Sequence, residues 1–269
     1  MKSSKNSSKG IKGSFASAVI PVTLVASYVV YEFVFGSGSN FIGGSNANLP
    51  LPGNYYGIIY KGGIIVPIIM SLLLTVLAFA VERYLAITKA AGKGQIVDFM
   101  SNINEMLSSG KIDAAKAACH EQKGSVANVI HSGLVKYQEM EKEISLPKDQ
   151  KIVSIQKEIE EATSLELPAL EQNLVILSTI ASIATLMGLL GTVIGMIKAF
   201  STLANAGAPD SVALAAGISE ALINTALGIG TSALAIIFYN FFTTKIDKLT
   251  YSIDEAGFTI VNTYASKNK

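Results

Sequence analysis

Residues 174–200 read LVILSTIASIATLMGLLGTVIGMIKAF, and residues 212–242 read VALAAGISEALINTALGIGTSALAIIFYNFF. Each run exceeds the roughly 20 helical residues that cross a hydrocarbon core about 30 Å thick. Glu220 is the only carboxylate in either run, and its polar company is Ser178, Ser182, Thr185, Thr192, Asn224, Thr225, Thr231 and Ser232. A carboxylate placed in a bilayer costs about 2.5–3.5 kcal/mol on insertion scales, so it normally faces a bundle interior or a water-filled path. The pair of runs therefore points to ion handling within a membrane.

Outward from these runs the chain has the same character. Half of it is hydrophobic and 15% is charged, against about a quarter in a soluble domain, and mean hydropathy is +0.44. The expected fold is an all-α integral membrane protein with transmembrane helices at 15–35, 64–81, 173–200 and 212–242. The last two are long enough to tilt or to extend into the cytoplasm. Residues 15–35 follow Lys2, Lys5, Lys9 and Lys12 as a signal peptide would, but the apolar run is too long and no small-residue cleavage site follows. They read as an uncleaved helix.

Lysine and arginine placement sets the orientation. The N-terminal tail 1–14 is lysine-rich, Arg83, Lys89 and Lys93 follow the second span, and Lys245 and Lys248 follow the fourth. The segment 36–63 has only Lys61, and 201–211 has no basic residue. The positive-inside rule puts both termini and residues 82–172 in the cytoplasm and makes 36–63 and 201–211 periplasmic loops. Lys198 falls on the wrong side, where snorkelling to the interface would serve it. The 36–63 loop, rich in Gly, Asn, Ser and Pro, reads as irregular with little to bury.

The 82–172 segment repeats apolar residues at helical spacing: Ile96, Phe99, Met100, Ile103 and Met106, then Val126, Val129, Ile130 and Leu134. Gly110, Lys123-Gly124 and Pro147 divide it into several helices, and Pro168 is placed to open the long third span. Residues 243–269 read as a cytoplasmic helix or tail. No phosphate-binding glycine loop occurs, so the chain is not an ATPase, and nothing marks it as an enzyme or a cofactor protein. The formal net charge is +1 with no basic block, which argues against nucleic acid as a partner. Cys119 is the lone cysteine, and with His120 and the distant His131 it lacks any metal-ligand spacing.

Ser178, Ser182, Thr185 and Thr192 share one helical face, extended by Gly188 and Gly195 with Gly191 beside it. Ala221, Thr225, Gly228 and Ser232 mirror it on the fourth span, with Gly217, Asn224 and Thr231 adjacent. Two readings fit: small residues that let helices pack closely, or a polar lumen. Hydroxyls do not titrate near neutral pH, and Glu220 lies near the outer end of its helix. If a proton crosses, its carrier belongs to another chain.

Met187–Met196 (MGLLGTVIGM), Gly217–Ala226 (GISEALINTA), Ile236–Asn240 (IIFYN) and Glu82-Arg83 together resemble the MotA/TolQ/ExbB proton-channel family, with ExbB the nearest likeness and TolQ next. The resemblance covers roughly residues 64–242. It implies a stator-like energy transducer of the bacterial inner membrane, typically a ring of five copies. The ring would surround the single transmembrane helices of ExbD-like subunits, each with a membrane aspartate, and proton-motive work would pass through a TonB-like protein to outer-membrane transporters. Thr192 and Thr225 would line the proton route, Thr185, Ser182, Ser178 and Asn224 would continue it, and Glu220 would serve proton entry or an ion pair. Gly188, Gly191, Gly195, Gly217 and Gly228 would pack helices. The chain departs from the family pattern at Thr185 and Leu234, where proline is frequent, and span 15–35 is additional, placed as an outer helix against lipid. A TolQ-like or gliding-type stator, a self-contained channel or transporter, and a structural scaffold are the alternatives.

Overall fold

The structure, a computed structural model, describes residues 7–205 and 211–267. The first six residues of the expected N-terminal tail, residues 206–210 of the expected loop 201–211, and the last two residues lie outside. Nine α-helices occur among the described residues: α1 Ser7–Val30, α2 Tyr55–Tyr60, α3 Ile65–Ala91, α4 Ile96–Ser108, α5 Ile112–Gln122, α6 Gly124–Lys142, α7 Lys148–Glu171, α8 Leu174–Asn205 and α9 Ser211–Lys267. No β-strand forms among them; a single antiparallel bridge joins Phe41 and Pro50. Four helices are long and apolar enough to cross a membrane, and they are α1, α3, α8 and α9. The chain is an all-α, multi-pass membrane protein. It divides into two units, one of residues up to Val81 with Val175–Tyr239, the other of Glu82–Leu174 with Asn240 onward.

In the first unit α3 is the most enclosed helix, with Val66, Ile69, Val76 and Phe79 buried. The additional helix α1 docks on it through hydroxyls. Thr23 Oγ1 lies 2.8 Å from Thr75 Oγ1 and 3.3 Å from Ser71 Oγ, all three buried. A hydroxyl pair in apolar surroundings satisfies groups that lipid would leave bare. The opposite side of α1 exposes Val22 and Val25, and Phe33 is exposed in the turn that follows.

The 36–63 segment is not wholly irregular: it holds α2 and two 3-10 turns, and it buries more than its composition announced. α1 ends in a π turn, Tyr31–Phe35, whose carbonyls at Val34 and Phe35 accept from Asn40 Nδ2 at 2.7 and 3.0 Å. Tyr31 stacks on Tyr60 at 4.7 Å, Phe35 stacks on Tyr56 at 5.5 Å, and Phe41 is buried. Asn54 caps α2 by accepting from Gly57 N–H. The aromatic residues that form this cap are scattered without a period, which is why the sequence hid it.

The second unit is a helical assembly built on apolar stripes. Phe99, Met100, Ile103, Val126, Val129, Ile130 and Leu134 are buried, whereas Ile96 and Met106 are only half-buried. The last part of α9 adds Phe242, Ile246, Leu249, Ile253, Ala256 and Ile260, alternately four and three residues apart. That spacing is the seam of a helix packed lengthwise, and burying each Ile or Leu contributes about 1.5–3 kcal/mol. Tyr264 closes the stripe by donating to Met140 O at 2.9 Å.

Gly110 (φ +70°), Lys123 (φ +59°) and Gly124 (φ +87°) make the turns, and Pro147 precedes α7. Pro168 does not open α8. It lies inside α7, and the break falls at Gln172-Asn173, where Asn173 adopts φ +67°. Asparagine tolerates the left-handed region that ends a helix better than most residues do, so it outweighs the proline as punctuation. Arg83, 2% exposed, pairs with Glu82 and donates to Leu170 O at 3.1 Å near that break. Burial pushes the Cys119 thiol up to about 12, which leaves it an inert small hydrophobe.

His120 and His131, eleven positions apart, meet across α5 and α6 with ring centroids 4.6 Å apart. No group of three or more metal-ligating side chains forms among the described residues. Burial, then His120, then Lys116 lower the His131 pKa below its ordinary 6.5. The unfolded chain therefore binds this proton more readily, and stability present above pH 6.5 falls as pH drops through it. Acidification from pH about 7.5 to about 5.5 is expected to lower amide-exchange protection in α5 and α6, and to lower it less in His131→Gln; equal losses would refute the assignment.

Candidate functional site

α8 and α9 meet along a seam of small residues in antiparallel order. A Cβ on Gly195 would come 2.9 Å from Ala221 Cβ, one on Gly217 2.6 Å from Ala199 Cβ, and one on Gly228 2.6 Å from Ala184 O. Gly191 faces Asn224, and Gly188 faces the backbone of Asn224, Thr225 and Gly228. Glycine is needed here for close approach, as in other membrane helix pairs. On α8 this seam runs through Ala184, Gly188, Gly191, Gly195 and Ala199, all buried.

The hydroxyls lie to one side of it. Ser178, Thr185 and Thr192 are half-buried and Ser182 is exposed. The shared face expected for hydroxyls and glycines is thus two neighbouring strips, offset by about a quarter turn at 3.6 residues per turn. The glycines lie in the close-packed seam and these hydroxyls lie beside it. Ser178 and Thr185 bond back to Val175 O and Ala181 O on their own helix, at 3.0 and 3.4 Å. Ser232 is buried in the seam and donates to Ala181 O at 2.6 Å.

Thr192 and Thr225 are brought together. Their Oγ1 atoms are 3.1 Å apart, and Thr225 donates to Gly188 O at 3.1 Å. Thr192 has Leu189 O at 2.9 Å and Gly188 O at 3.2 Å as alternative acceptors. Two protons thus serve more acceptors than they can fill, so the pair has freedom to reorient. Each hydroxyl keeps lone-pair capacity, and Thr192 borders an apolar groove formed with Val193, Met196, Ile197 and Phe200. Such a pair can accept from a protonated group or donate to a carboxylate, without itself ionising.

Asn224 is not on the hydroxyl edge. It is 1% exposed, its Nδ2 donates to Gly62 O at 2.8 Å, and its buried Oδ1 meets no protein donor. Its amide ties α9 to the turn before α3, and it occupies the space that Gly191 leaves. Glu220 is also buried, with Lys198 Nζ 2.8 Å from its Oε2. Lys198 is therefore not a lysine snorkelling alone. The antiparallel order of Gly195 on Ala221 and Ala199 on Gly217 puts residue 198 beside residue 220, a pairing that could have been read from the two motifs.

A multi-pass helical membrane protein whose last two apolar helices pack through glycine beside a hydroxyl edge is the class this geometry defines. Residues 123–255 match the family model described as the MotA/TolQ/ExbB proton channel family. The chain belongs to that family, whose members are proton-channel stator subunits. It is 36% identical over 86 residues to an ExbB-like biopolymer transport protein of Synechocystis, a match covering 31% of this chain and 41% of the relative. It is 25% identical over 199 residues to the Tol-Pal system protein TolQ of Pseudomonas aeruginosa, covering 72% and 85%. To the biopolymer transport protein ExbB of Xanthomonas campestris it is 29% identical over 141 residues, covering 52% and 49%. Two of these three matches span half or less of the relative's own length.

Proposed function

We propose that this chain is the ring-forming subunit of an inner-membrane motor of the ExbB–ExbD type, driven by the proton-motive force and energising TonB-dependent transport across the outer membrane. Segments 15–35, 64–81, 173–200 and 212–242 cross the bilayer, with both termini in the cytoplasm by the positive-inside rule. Several copies, five on the family pattern, surround the transmembrane helix of an ExbD-like subunit whose aspartate carries the proton. The TolQ-like relatives keep a Tol-type motor as the second reading.

The observation that carries this reading is the Thr192–Thr225 pair, 3.1 Å apart on the open edge of a glycine-packed seam. The groove beside Thr192 offers an apolar seat for a partner helix. The sole carboxylate of the two long runs, Glu220, is held by Lys198 away from the hydroxyl pair, so the group that titrates beside Thr192 and Thr225 comes from a partner.

Reconstitution tests it. The chain alone in liposomes is expected to conduct no protons. With a one-span partner bearing a membrane aspartate it is expected to conduct, and to stop when that aspartate becomes asparagine. Conductance by the chain alone would favour a self-contained channel instead.

A further inference from the structure

Lys198 lies six residues beyond Thr192 on α8, and its ammonium reaches Glu220 Oε2 at 2.8 Å. The partners are unequally placed: the Glu220 side chain is 11% exposed and that of Lys198 is 66% exposed. Behind the carboxylate is Gly63, at φ +76°, where a Cβ would stand 2.5 Å from Oε1. One turn along α9, Asn224 holds Gly62 O at 2.8 Å, so this wall is fastened to the same helix. The carboxylate is therefore confined between a glycine turn that is tied down and a cation on a mostly open stem, with Lys61 and Tyr31 the other titratable groups close enough to feel its charge. A lysine makes one compact point contact on four flexible carbons, unlike the two-pronged grip of arginine, and is the easier partner to withdraw. Thr225, the hydroxyl of the pair with Thr192, lies five residues beyond Glu220 on α9.

We propose that Lys198 is a releasable latch on Glu220, a positioning residue that keeps this carboxylate out of the proton path until the pair opens. The proposal rests on the proton-path reading above. While the pair is closed, the carboxylate charge is met by the ammonium. When Lys198 swings away, the freed carboxylate takes one proton from hydronium on the outer side and leaves water behind. It then passes that proton to the ionised carboxylate of the partner helix at the hydroxyl pair, becomes a carboxylate again, and is recaptured by Lys198. One proton moves and no other bond changes.

The test uses the complex with its partner in proteoliposomes under a pH gradient, with assembly measured in parallel. A latch predicts a gain: Lys198→Met raises uncoupled proton flux several-fold at normal assembly, while Lys198→Arg keeps the wild-type flux. Adding Glu220→Gln to Lys198→Met removes that leak, because the carrying carboxylate is gone. Lys198→Gln, which keeps a hydrogen-bond donor, is expected to leak likewise and serves where the methionine variant does not assemble. Unchanged or reduced flux in the assembled variants, or a leak that persists without Glu220, overturns the latch. Normal flux in Thr192→Val, Thr225→Val would instead sink the path reading, whatever Lys198 does.

Discussion

Replacing Thr192 and Thr225 together by valine is expected to lower proton-driven work by at least about 100-fold, the low end of what a positioned proton-transfer group contributes. Valine nearly matches threonine in shape but removes both hydroxyls, and with them every polar group the pair presents to the open edge. The bonds lost are local. Each hydroxyl has a carbonyl of α8 as an acceptor, and a net loss of about 1 kcal/mol per hydrogen bond leaves the fold intact. The complex should therefore assemble with its partner at the normal level. Either single change leaves one hydroxyl beside Gly188 O and is expected to retain part of the flux. Wild-type proton-driven uptake in the double variant would remove the pair from the path.

Gly228→Leu is expected to leave almost no folded protein in the membrane. The new Cβ would come 2.6 Å from Ala184 O and 2.8 Å from Gly188 Cα, both backbone atoms of α8. No rotamer relieves a clash with backbone, so the helices would have to separate along a seam that also holds Gly191, Gly195 and Gly217. Overpacking usually costs about 1–3 kcal/mol, and a rigid backbone neighbour puts this site at or beyond the top of that range. Gly230→Leu is the control: two residues away, its Cβ meets nothing within 4 Å. Detergent-stable yield of the two variants, compared side by side, decides the matter. Equal yields would mean that the seam does not govern folding.

The seam also shows what sets the two parts of α9 apart. From Gly217 to Ala235 its buried stripe is Gly, Ala, Asn, Thr and Ser, apart from Glu220; from Phe242 to Ile260 it is mostly Phe, Ile and Leu. Where lipid tails compete, large apolar side chains gain nothing by association and close backbone contact decides. Where water competes, burial of large side chains is the driving force.

Much of this was legible beforehand. Leu134 and its helical companions are buried because a period of 3.6 is a local property, and Gly110, Lys123-Gly124 and Pro147 turn the chain where they stand. Pro168 misled because a proline is tolerated inside α7, while Asn173, with no outstanding local signal, makes the break. Thr192 and Thr225 were picked out by spacing and motif, and the structure brings them into contact. Asn224 was grouped with them, but it faces Gly62 and Gly191 instead.

By itself the sequence determined the four apolar helices, the helical segment between the second and third, and the family, because length, period and motif are written along one strand of chain. The tertiary structure decided which strip of each helix packs and which stays open, that Lys198 meets Glu220, and that scattered tyrosines and phenylalanines close over the end of α1. Each of these depends on how far one helix is rotated about its axis against another. A repeat of small and hydroxylated residues leaves that rotation free over about a quarter turn, and only close packing at glycine removes the freedom.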